Sequence, residues 1–169
     1  KKKKTANVHI KLDTGMSRIG FVISDNNEEV INEILRISKL PYINIEGLFS
    51  HFSTSDEKDD TYTRLQFKRF MAVADELKAR GLDIPIKHIC NSAGVMMYPE
   101  MHLDMVRPGV ILYGMYPSDE VDKSKLDLIP AMTLKSRISY VKEVEAGRGV
   151  SYGKEYITDR TTKIATVPI

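Results

Sequence analysis

The sequence predicts an α/β protein in which a parallel sheet is followed by a smaller, β-rich domain. Over the first two thirds, apolar strand-like runs alternate with amphipathic helical runs, and this βαβα order is typical of a parallel sheet. After Pro117 a polar segment ends the alternation, and the remaining chain has strand-like runs without helical periodicity. We therefore predict an α/β domain over residues 1–117, a linker over 118–130 and a β domain over 131–169.

The first predicted strand, Val8 to Leu12, has two chemically different faces. Its side chains alternate between an apolar set and an ionisable set: Val8, Ile10 and Leu12 against His9, Lys11 and Asp13. A face dense in ionisable groups needs a specific polar environment, because an unpaired buried charge is costly. We interpret this strand as the edge of a functional site rather than as a solvated sheet face.

The next elements continue the alternation. A cap-like Asp25-x-x-Glu28 predicts the start of a helix, whose apolar face is Val30, Ile31, Ile34 and Leu35. Ile45 to Phe52 is nearly all apolar, as parallel strands covered on both sides tend to be. A long helix follows, with Gly81 just past its end and with one apolar stripe: Phe67, Phe70, Met71, Ala74 and Leu77.

Two further strands complete the predicted parallel sheet. Ile86 to Cys90 is the third strand, a short helix begins after Ser92, and the fourth strand covers about Met105 to Tyr113. Four βα units are too few to close an eight-stranded barrel. In the β domain we predict strands over Met132 to Val144, Val150 to Ile157 and Thr162 to Val167. The last of these is still strand-like at Pro168, so we expect both ends of the chain to be truncated.

Composition narrows the functional classes. With 25 basic and 23 acidic residues the net charge is +2, too small to indicate attraction to nucleic acid or a membrane. The basic run Lys1 to Lys4 is expected to be a solvated tail. Cys90 is the single cysteine and cannot form an internal disulfide, which favours a reducing cytoplasm. We also expect no membrane span, because no apolar run is long enough.

Polar residues follow the predicted parallel strands at their carboxyl ends, where α/β proteins place their sites. Arg18 follows the first strand, His51 ends the second, Asn91-Ser92 end the third, and Arg107-Pro108-Gly109 interrupt the fourth. Each has an ordinary alternative, namely a structural histidine, a surface ion pair or a helix N-cap. The Ser92 hydroxyl, its amide and the amides of the Gly109-Val110 turn form a donor set suited to a phosphate.

Five motifs together resemble the alanine racemases, in the same order and at similar intervals. They are His-x-Lys-x-Asp-Thr-Gly-Met-x-Arg-x-Gly over 9–20, Ser50-His51-Phe52 with Asp56, Asn91-Ser92-Ala93, Arg107-Pro108-Gly109-Val110 with Leu112-Tyr113-Gly114, and Val150-Ser151-Tyr152-Gly153. The resemblance covers nearly the whole chain. It implies the second half of a parallel (β/α)8 barrel, part of a C-terminal antiparallel β domain, and a pyridoxal 5'-phosphate enzyme that interconverts L- and D-alanine and supplies D-alanine for peptidoglycan.

The resemblance also implies roles for individual residues. Asn91, Ser92, Gly109 and Val110 would bind the cofactor, the last three through its phosphate, and Arg107 would face its pyridine nitrogen. His51 would hydrogen-bond to Arg107. Arg18 would contact the phenolic oxygen of the cofactor and the substrate carboxylate, and Lys11 would carry a carbamate that pairs with Arg18, or remain an ordinary lysine. Tyr152 would be one of two catalytic bases and would act at the site of the other subunit of a homodimer. No metal is expected.

The chain also departs from the family pattern. The lysine that binds the cofactor covalently lies, in the family, ahead of everything present here, so we expect these 169 residues to be inactive alone. Four alternatives compete with this interpretation: a racemase of serine or another small amino acid, an amino-acid decarboxylase of the same barrel family, a single-domain cofactor carrier, and a non-catalytic fragment. Arg107 argues against a decarboxylase, which should present an acidic residue to the pyridine nitrogen. The segment from Met132 onward argues against single-domain cofactor carriers.

Overall fold

Strand β1 (Ala6–Asp13) forms where the two-residue alternation predicts it, with Ile10 and Leu12 buried on its apolar side. The computed structural model describes residues 4–169, so the first three residues of the expected lysine tail lie outside the described residues. Lys4 is exposed. The chain forms two compact units, one extending through Ala131 and the other over Met132–Ile169, and each is described by itself below.

The sheet of the first unit is parallel, as predicted. It adds β2 (Phe21–Val22), β3 (Ile43–Phe49) and β4 (Ile86–His88) to β1, in the order β2-β1-β3-β4. The predicted second and third strands extended to Phe52 and Cys90, but both end earlier. The chain leaves the ladder before His51 and Asn91, which frees these residues to face a site.

Three α-helices, α1 (Glu28–Ile37), α2 (Thr61–Ala79) and α3 (Ser92–Met97), belong to this unit. Helix α1 begins at Glu28 with Asn27 as its N-cap, rather than at Asp25. The buried face of α2 contains polar residues that the apolar stripe did not predict: Thr63 and Gln66 beside Phe70, Val73 and Leu77. Gly81 ends α2 with φ +89°, as a C-terminal glycine does. Among residues 4–169, no helix has the length and apolar character required to cross a membrane.

The predicted fourth strand, Met105 to Tyr113, is wrong. The amides of Asp104 and Arg107 donate to the carbonyls of Lys87 and Cys90, at 3.1 and 3.0 Å, and no strand ladder develops. Pro108 has no amide hydrogen, and residues Val110–Tyr113 form a 3-10 helix that Gly114 closes at φ 77°. The segment therefore runs beside β4 and then turns, which places Arg107 and Gly109 next to the end of β4.

The second unit contains two small antiparallel sheets. Strand β5 (Tyr140–Val144) pairs with β8 (Thr162–Thr166), and β6 (Gly149–Val150) pairs with β7 (Tyr156–Ile157). The predicted strands were too long, since residues 132–139 are irregular and a 3-10 helix over Tyr152–Lys154 interrupts the middle one.

Candidate active site

A cavity of about 310 Å³ lies at the carboxyl ends of β3 and β4. It collects most of the residues that the sequence singled out, because His51 follows β3 while Asn91 and Ser92 follow β4. The turn after residue 106 supplies the opposite side. The lining residues are His51, Asp56, Asn91, Ser92, Ala93, Arg107, Gly109, Val110 and Pro117.

Arg107 is the partly buried cation of this cavity, and neutral acceptors hold it. Its Nη2 donates to the Ser50 carbonyl at 2.7 Å and to His51 Nδ1 at 3.2 Å. Its Nη1 donates to His88 Nδ1. Within residues 4–169 no carboxylate forms an ion pair with Arg107, and its Nε–H donates to no other side chain or carbonyl. The protein thus holds the guanidinium through Nη1 and Nη2, and its Nε–H can donate to a ligand.

The electrostatics of the cavity keep its histidine neutral. Burial lowers the pKa of His51 to about 4, and the neighbouring cations Arg107, Arg18 and Lys11 contribute to the shift. Burial also lowers the pKa of Arg107. A guanidinium stays protonated at any ordinary pH, so the pair consists of a charged donor and a neutral acceptor at pH 7.

Ser92 and Gly109 form a small cradle of donors at one wall of the cavity. Ser92 is buried, and its Oγ accepts a bond from the Gly109 amide at 2.8 Å. Among the described residues Ser92 Oγ has no acceptor for its own proton, which can therefore serve a ligand. A Cβ on Gly109 would stand 3.6 Å from Ser92 Oγ, so the absence of a side chain keeps this space open.

Asn91 holds two loops together at the edge of the same cavity. Its Oδ1 accepts bonds from the Gly94 amide and from Ser55 Oγ, both at 2.9 Å, and its Nδ2 donates to the Phe52 carbonyl at 3.4 Å. Asn91 is therefore the N-cap of α3, which is the ordinary structural role that its sequence position suggests. It also lines the cavity.

Lys11 lies on the ionisable face of β1. Its Nζ donates to the Leu12 carbonyl at 3.1 Å and lies 5.3 Å from the centre of the Phe49 ring. Burial is the main cause that lowers the pKa of Lys11 to about 8; Asp13 opposes the shift, and Arg107 and Arg18 contribute to it. At pH 7 about a tenth of the amine is then neutral and nucleophilic.

Arg18 belongs to the loop after β1, which borders a second, larger cavity of about 520 Å³. Asp13 organises this loop by accepting the amides of Gly15 at 3.0 Å and Ser17 at 2.9 Å. Although burial raises the pKa of Asp13, these amide donors keep it below its usual value. The Arg18 side chain is exposed and, among the described residues, makes no ion pair. Arg18 therefore lines this larger cavity, whereas most of the sequence-predicted site residues line the smaller one, and Lys11 and Tyr152 line neither.

Tyr152 belongs to the second unit, in the 3-10 helix that follows β6, and its side chain is 98% exposed. Ser151 precedes it with a positive φ of 59°, which side chains other than glycine rarely adopt. Exposure to this degree is unusual for an aromatic side chain in its own domain and is compatible with a role at an interface.

Sequence reasoning missed two buried polar groups that support the site. His88 is 4% exposed and accepts from Arg107, and Gln66 on α2 is fully buried. Gln66 Nε2 donates to the His51 carbonyl at 3.1 Å, and its Oε1 accepts the Ser53 amide at 2.9 Å. The available signal was a polar residue inside an apolar pattern: His88 within the third strand and Gln66 beside Phe67.

Comparisons of sequence and of structure with known proteins both find alanine racemases similar to this chain. Models described as "Alanine racemase, N-terminal domain" and "Alanine racemase, C-terminal domain" match residues 1–117 and 131–169. An alanine racemase of Clostridium tetani is 52% identical over 169 residues, 100% of this chain and 43% of the relative. The solved alanine racemase of Clostridium difficile 630 has a TM-score of 0.86 and 49% identity, over 98% of this chain and 43% of that chain.

A more distant structure has the same fold. The alanine racemase of Bacillus anthracis, solved with bound L-Ala-P, has a TM-score of 0.80 and 32% identity, over 98% of this chain and 42% of that chain. The chain thus spans less than half the length of these relatives. The two family models together match most of its residues, and the chain belongs to the alanine racemase family.

Proposed function

We propose that the protein containing this segment is an alanine racemase that uses pyridoxal 5'-phosphate. The observation that carries the proposal is one cavity that combines the Ser92–Gly109 cradle with an Arg107 guanidinium held only by neutral acceptors. Membership of the family and a Bacillus anthracis relative solved with L-Ala-P support it. The proposed product, D-alanine, would serve peptidoglycan synthesis.

The donor set of the cavity fits the phosphate of this cofactor. The Ser92 hydroxyl can donate into the cavity, and the missing side chain at Gly109 leaves room beside it. We assign the phosphate to this hydroxyl and to the Val110 amide; the Gly109 amide, which donates to Ser92 Oγ in this structure, would join them by releasing that bond, and Asn91 fixes the start of α3. The assignment needs no cationic side chain at the phosphate, which leaves Arg107 for the ring.

Arg107 is the proposed partner of the pyridine nitrogen. When bound, pyridoxal phosphate supplies an electron-withdrawing ring that stabilises negative charge at the α-carbon of an amino acid. Arg107 gives up its proton far less readily than a carboxylic acid does, so it would leave the ring nitrogen unprotonated and the stabilisation weak. Weak stabilisation favours rapid return of the proton to the α-carbon, as racemisation requires. His51 and the Ser50 carbonyl hold the guanidinium in this orientation.

Lys11 and Arg18 are the proposed substrate-facing pair. The lowered pKa of Lys11, about 8, supplies neutral amine that can add to the carbon of CO₂, forming an N–C bond and releasing one proton. The resulting carbamate is an anion able to pair with Arg18. Arg18 would then present its guanidinium to the substrate carboxylate and to the phenolic oxygen of the cofactor.

Tyr152 is the proposed proton acceptor on one face of the substrate, and a lysine outside these 169 residues is the acceptor on the other. The exposed side chain of Tyr152 is consistent with action at the site of the other subunit of a homodimer. Two opposed bases allow the proton to leave one face and return on the other, which interconverts L- and D-alanine. The 169 residues alone are proposed to be inactive, and the complete protein is proposed to work in the cytoplasm.

The test is racemisation by the full-length gene product. Purified protein with added pyridoxal phosphate should convert L-alanine to a racemic mixture, measured by the loss of circular dichroism of the amino acid. The 169-residue chain, prepared in parallel, should leave L-alanine unchanged. Serine in place of alanine tests the alternative substrate. A folded full-length protein that binds the cofactor and leaves alanine optically pure would refute the proposal.

A further inference from the structure

The pairing of β1 with β3 is irregular at one point, beside His9. Val8 pairs with Ile45, but His9 pairs with Gly47, so Glu46 is an additional residue in β3. Bulges of this kind re-aim side chains. A Cβ on Gly47 would overlap the His9 imidazole, so the ring occupies space that only glycine leaves open. The bulge and Gly47 together determine where the His9 ring lies.

The re-aimed His9 ring contacts His88. The two histidines come from β1 and β4, with β3 between them, and His9 Nδ1 lies 2.8 Å from His88 Nε2. The Phe49 ring stacks on His88, with 5.1 Å between the ring centres and 8° between the planes. The other nitrogen of His88, Nδ1, faces Arg107. A continuous line of polar groups therefore joins His9 to the guanidinium.

The chemistry of the guanidinium fixes the proton positions along this line. Arg107 can only donate, so His88 Nδ1 must accept and the proton of His88 lies on Nε2. His88 then donates to His9 Nδ1, and the proton of His9 lies on Nε2, which is 3.5 Å from Glu46 Oε2. Burial first, and then the charge of Arg107, lower the pKa of His88 to about 4, so this neutral form prevails at pH 7.

We propose that Gly47, His9 and His88 are positioning residues for Arg107: the bulge places His9 so that it selects the one tautomer of His88 able to accept from the guanidinium. The inference rests on the proposed cofactor-facing role of Arg107. Without an acceptor at His9, the buried Nε2 proton of His88 has no partner, so the tautomer that accepts from the guanidinium becomes less favourable, while the tautomer with the proton on Nδ1 opposes a donor with a donor. The guanidinium would then lose one of its holding contacts.

The test uses the full-length protein and two readouts. Nitrogen-15 NMR of labelled histidine, assigned with His88→Gln, reports the tautomer of His88 and needs no cofactor. Equilibrium titration reports cofactor affinity. Wild type should show one His88 tautomer, protonated on Nε2. Gly47→Ala, which displaces the His9 ring, and His9→Phe, which removes its acceptor, should each give a mixture and weaken pyridoxal phosphate binding roughly tenfold, the equivalent of one charged hydrogen bond.

Two controls separate this role from general destabilisation. Gly81→Ala introduces a strained alanine at φ +89° with nothing within 4 Å of its Cβ, and it should change neither readout. Gly47→Ala in a His9→Ala background should add nothing, because the ring that it displaces is gone.

A single unchanged His88 tautomer in both Gly47→Ala and His9→Phe, or cofactor affinity within twofold of wild type, would overturn the inference. Should Gly47→Ala not fold, His9→Phe decides alone. Failure of the proposed function is a different result, since wild type itself would then bind no cofactor or leave alanine unchanged.

Discussion

Replacing Gln66 with leucine tests whether a buried amide on α2 holds the site together. Gln66 is fully buried and joins the loops that follow β1 and β3. Its Oε1 accepts the Ser53 amide at 2.9 Å, and its Nε2 donates to the His51 carbonyl at 3.1 Å and to Thr14 Oγ1 at 3.4 Å. Leucine fills a similar volume and makes none of these bonds.

The expected magnitude follows from the groups left without partners. His51 is half-buried and Ser53 is exposed, so losing the partner costs about 1–2 kcal/mol at the His51 carbonyl and about 1 kcal/mol at the Ser53 amide. Burying leucine in place of an amide recovers roughly 1 kcal/mol. The net loss of unfolding free energy is therefore about 1–2 kcal/mol. Because His51 loses a backbone anchor, cofactor affinity should fall as well.

The assay is urea-induced unfolding of the full-length protein, followed by circular dichroism, together with cofactor titration. Lys68→Leu is the matched control, since it introduces the same residue on the exposed face of the same helix. Lys68→Leu should change the unfolding free energy by less than about 0.5 kcal/mol. An equal, small effect of both variants would refute the reasoning, because the bonds of Gln66 would then contribute nothing measurable.

Three further outcomes are expected in the full-length protein. Ser92→Ala should weaken pyridoxal phosphate binding roughly tenfold, because it removes one hydrogen-bond donor to the phosphate. The control Ser38→Ala, at the end of α1, should leave the affinity unchanged. Equal cofactor affinities of the two variants would show that Ser92 is not part of the phosphate site. Because burial lowers the pKa of Lys11 to about 8, equilibration with carbon-13 bicarbonate should give a carbamate signal in the carbon-13 NMR spectrum. Lys11→Arg should abolish this signal, and the control Lys39→Arg should retain it. A signal that survives Lys11→Arg would contradict the assignment. Burial and, to a smaller extent, Arg107 lower the pKa of His51 from 6.5 to about 4. Between these pH values the unfolded chain binds more protons than the folded chain, so stability should fall as the pH drops from 6.5 toward 4. An NMR titration of His51 with a midpoint near 6.5 would contradict this.

The sequence predicted the strands and helices whose patterns are long. β1 shows a full two-residue alternation, and α2 has an apolar stripe that continues to Leu77. The strand predicted over Met105 to Tyr113 is absent because Pro108 and Gly109, inside an otherwise apolar run, break the ladder and turn the chain into a 3-10 helix. β2 is two residues long and offers no period to detect.

The sequence predicted site residues only where a polar or charged residue contrasts with an adjacent apolar run. Ser92 follows a strand-like run and Arg107 interrupts the next predicted one, and these positions are enough to suggest a shared site. His9 was recognised as part of an ionisable face, but its contact with His88 depends on a bulge at Glu46 that no periodicity reveals. Nothing in the sequence reveals the partners of Gln66, because they are backbone groups of distant loops.

The most direct test of the central claim is a crystal structure of the full-length protein with pyridoxal phosphate bound. The account predicts a phosphate oxygen within about 3 Å of Ser92 Oγ, and the Arg107 guanidinium facing the ring nitrogen. The larger cavity offers a clear competitor, since Arg18 and Arg69 both line it. A phosphate bound between these two arginines, with the Ser92–Gly109 cradle empty, would contradict the assignment of the cofactor site.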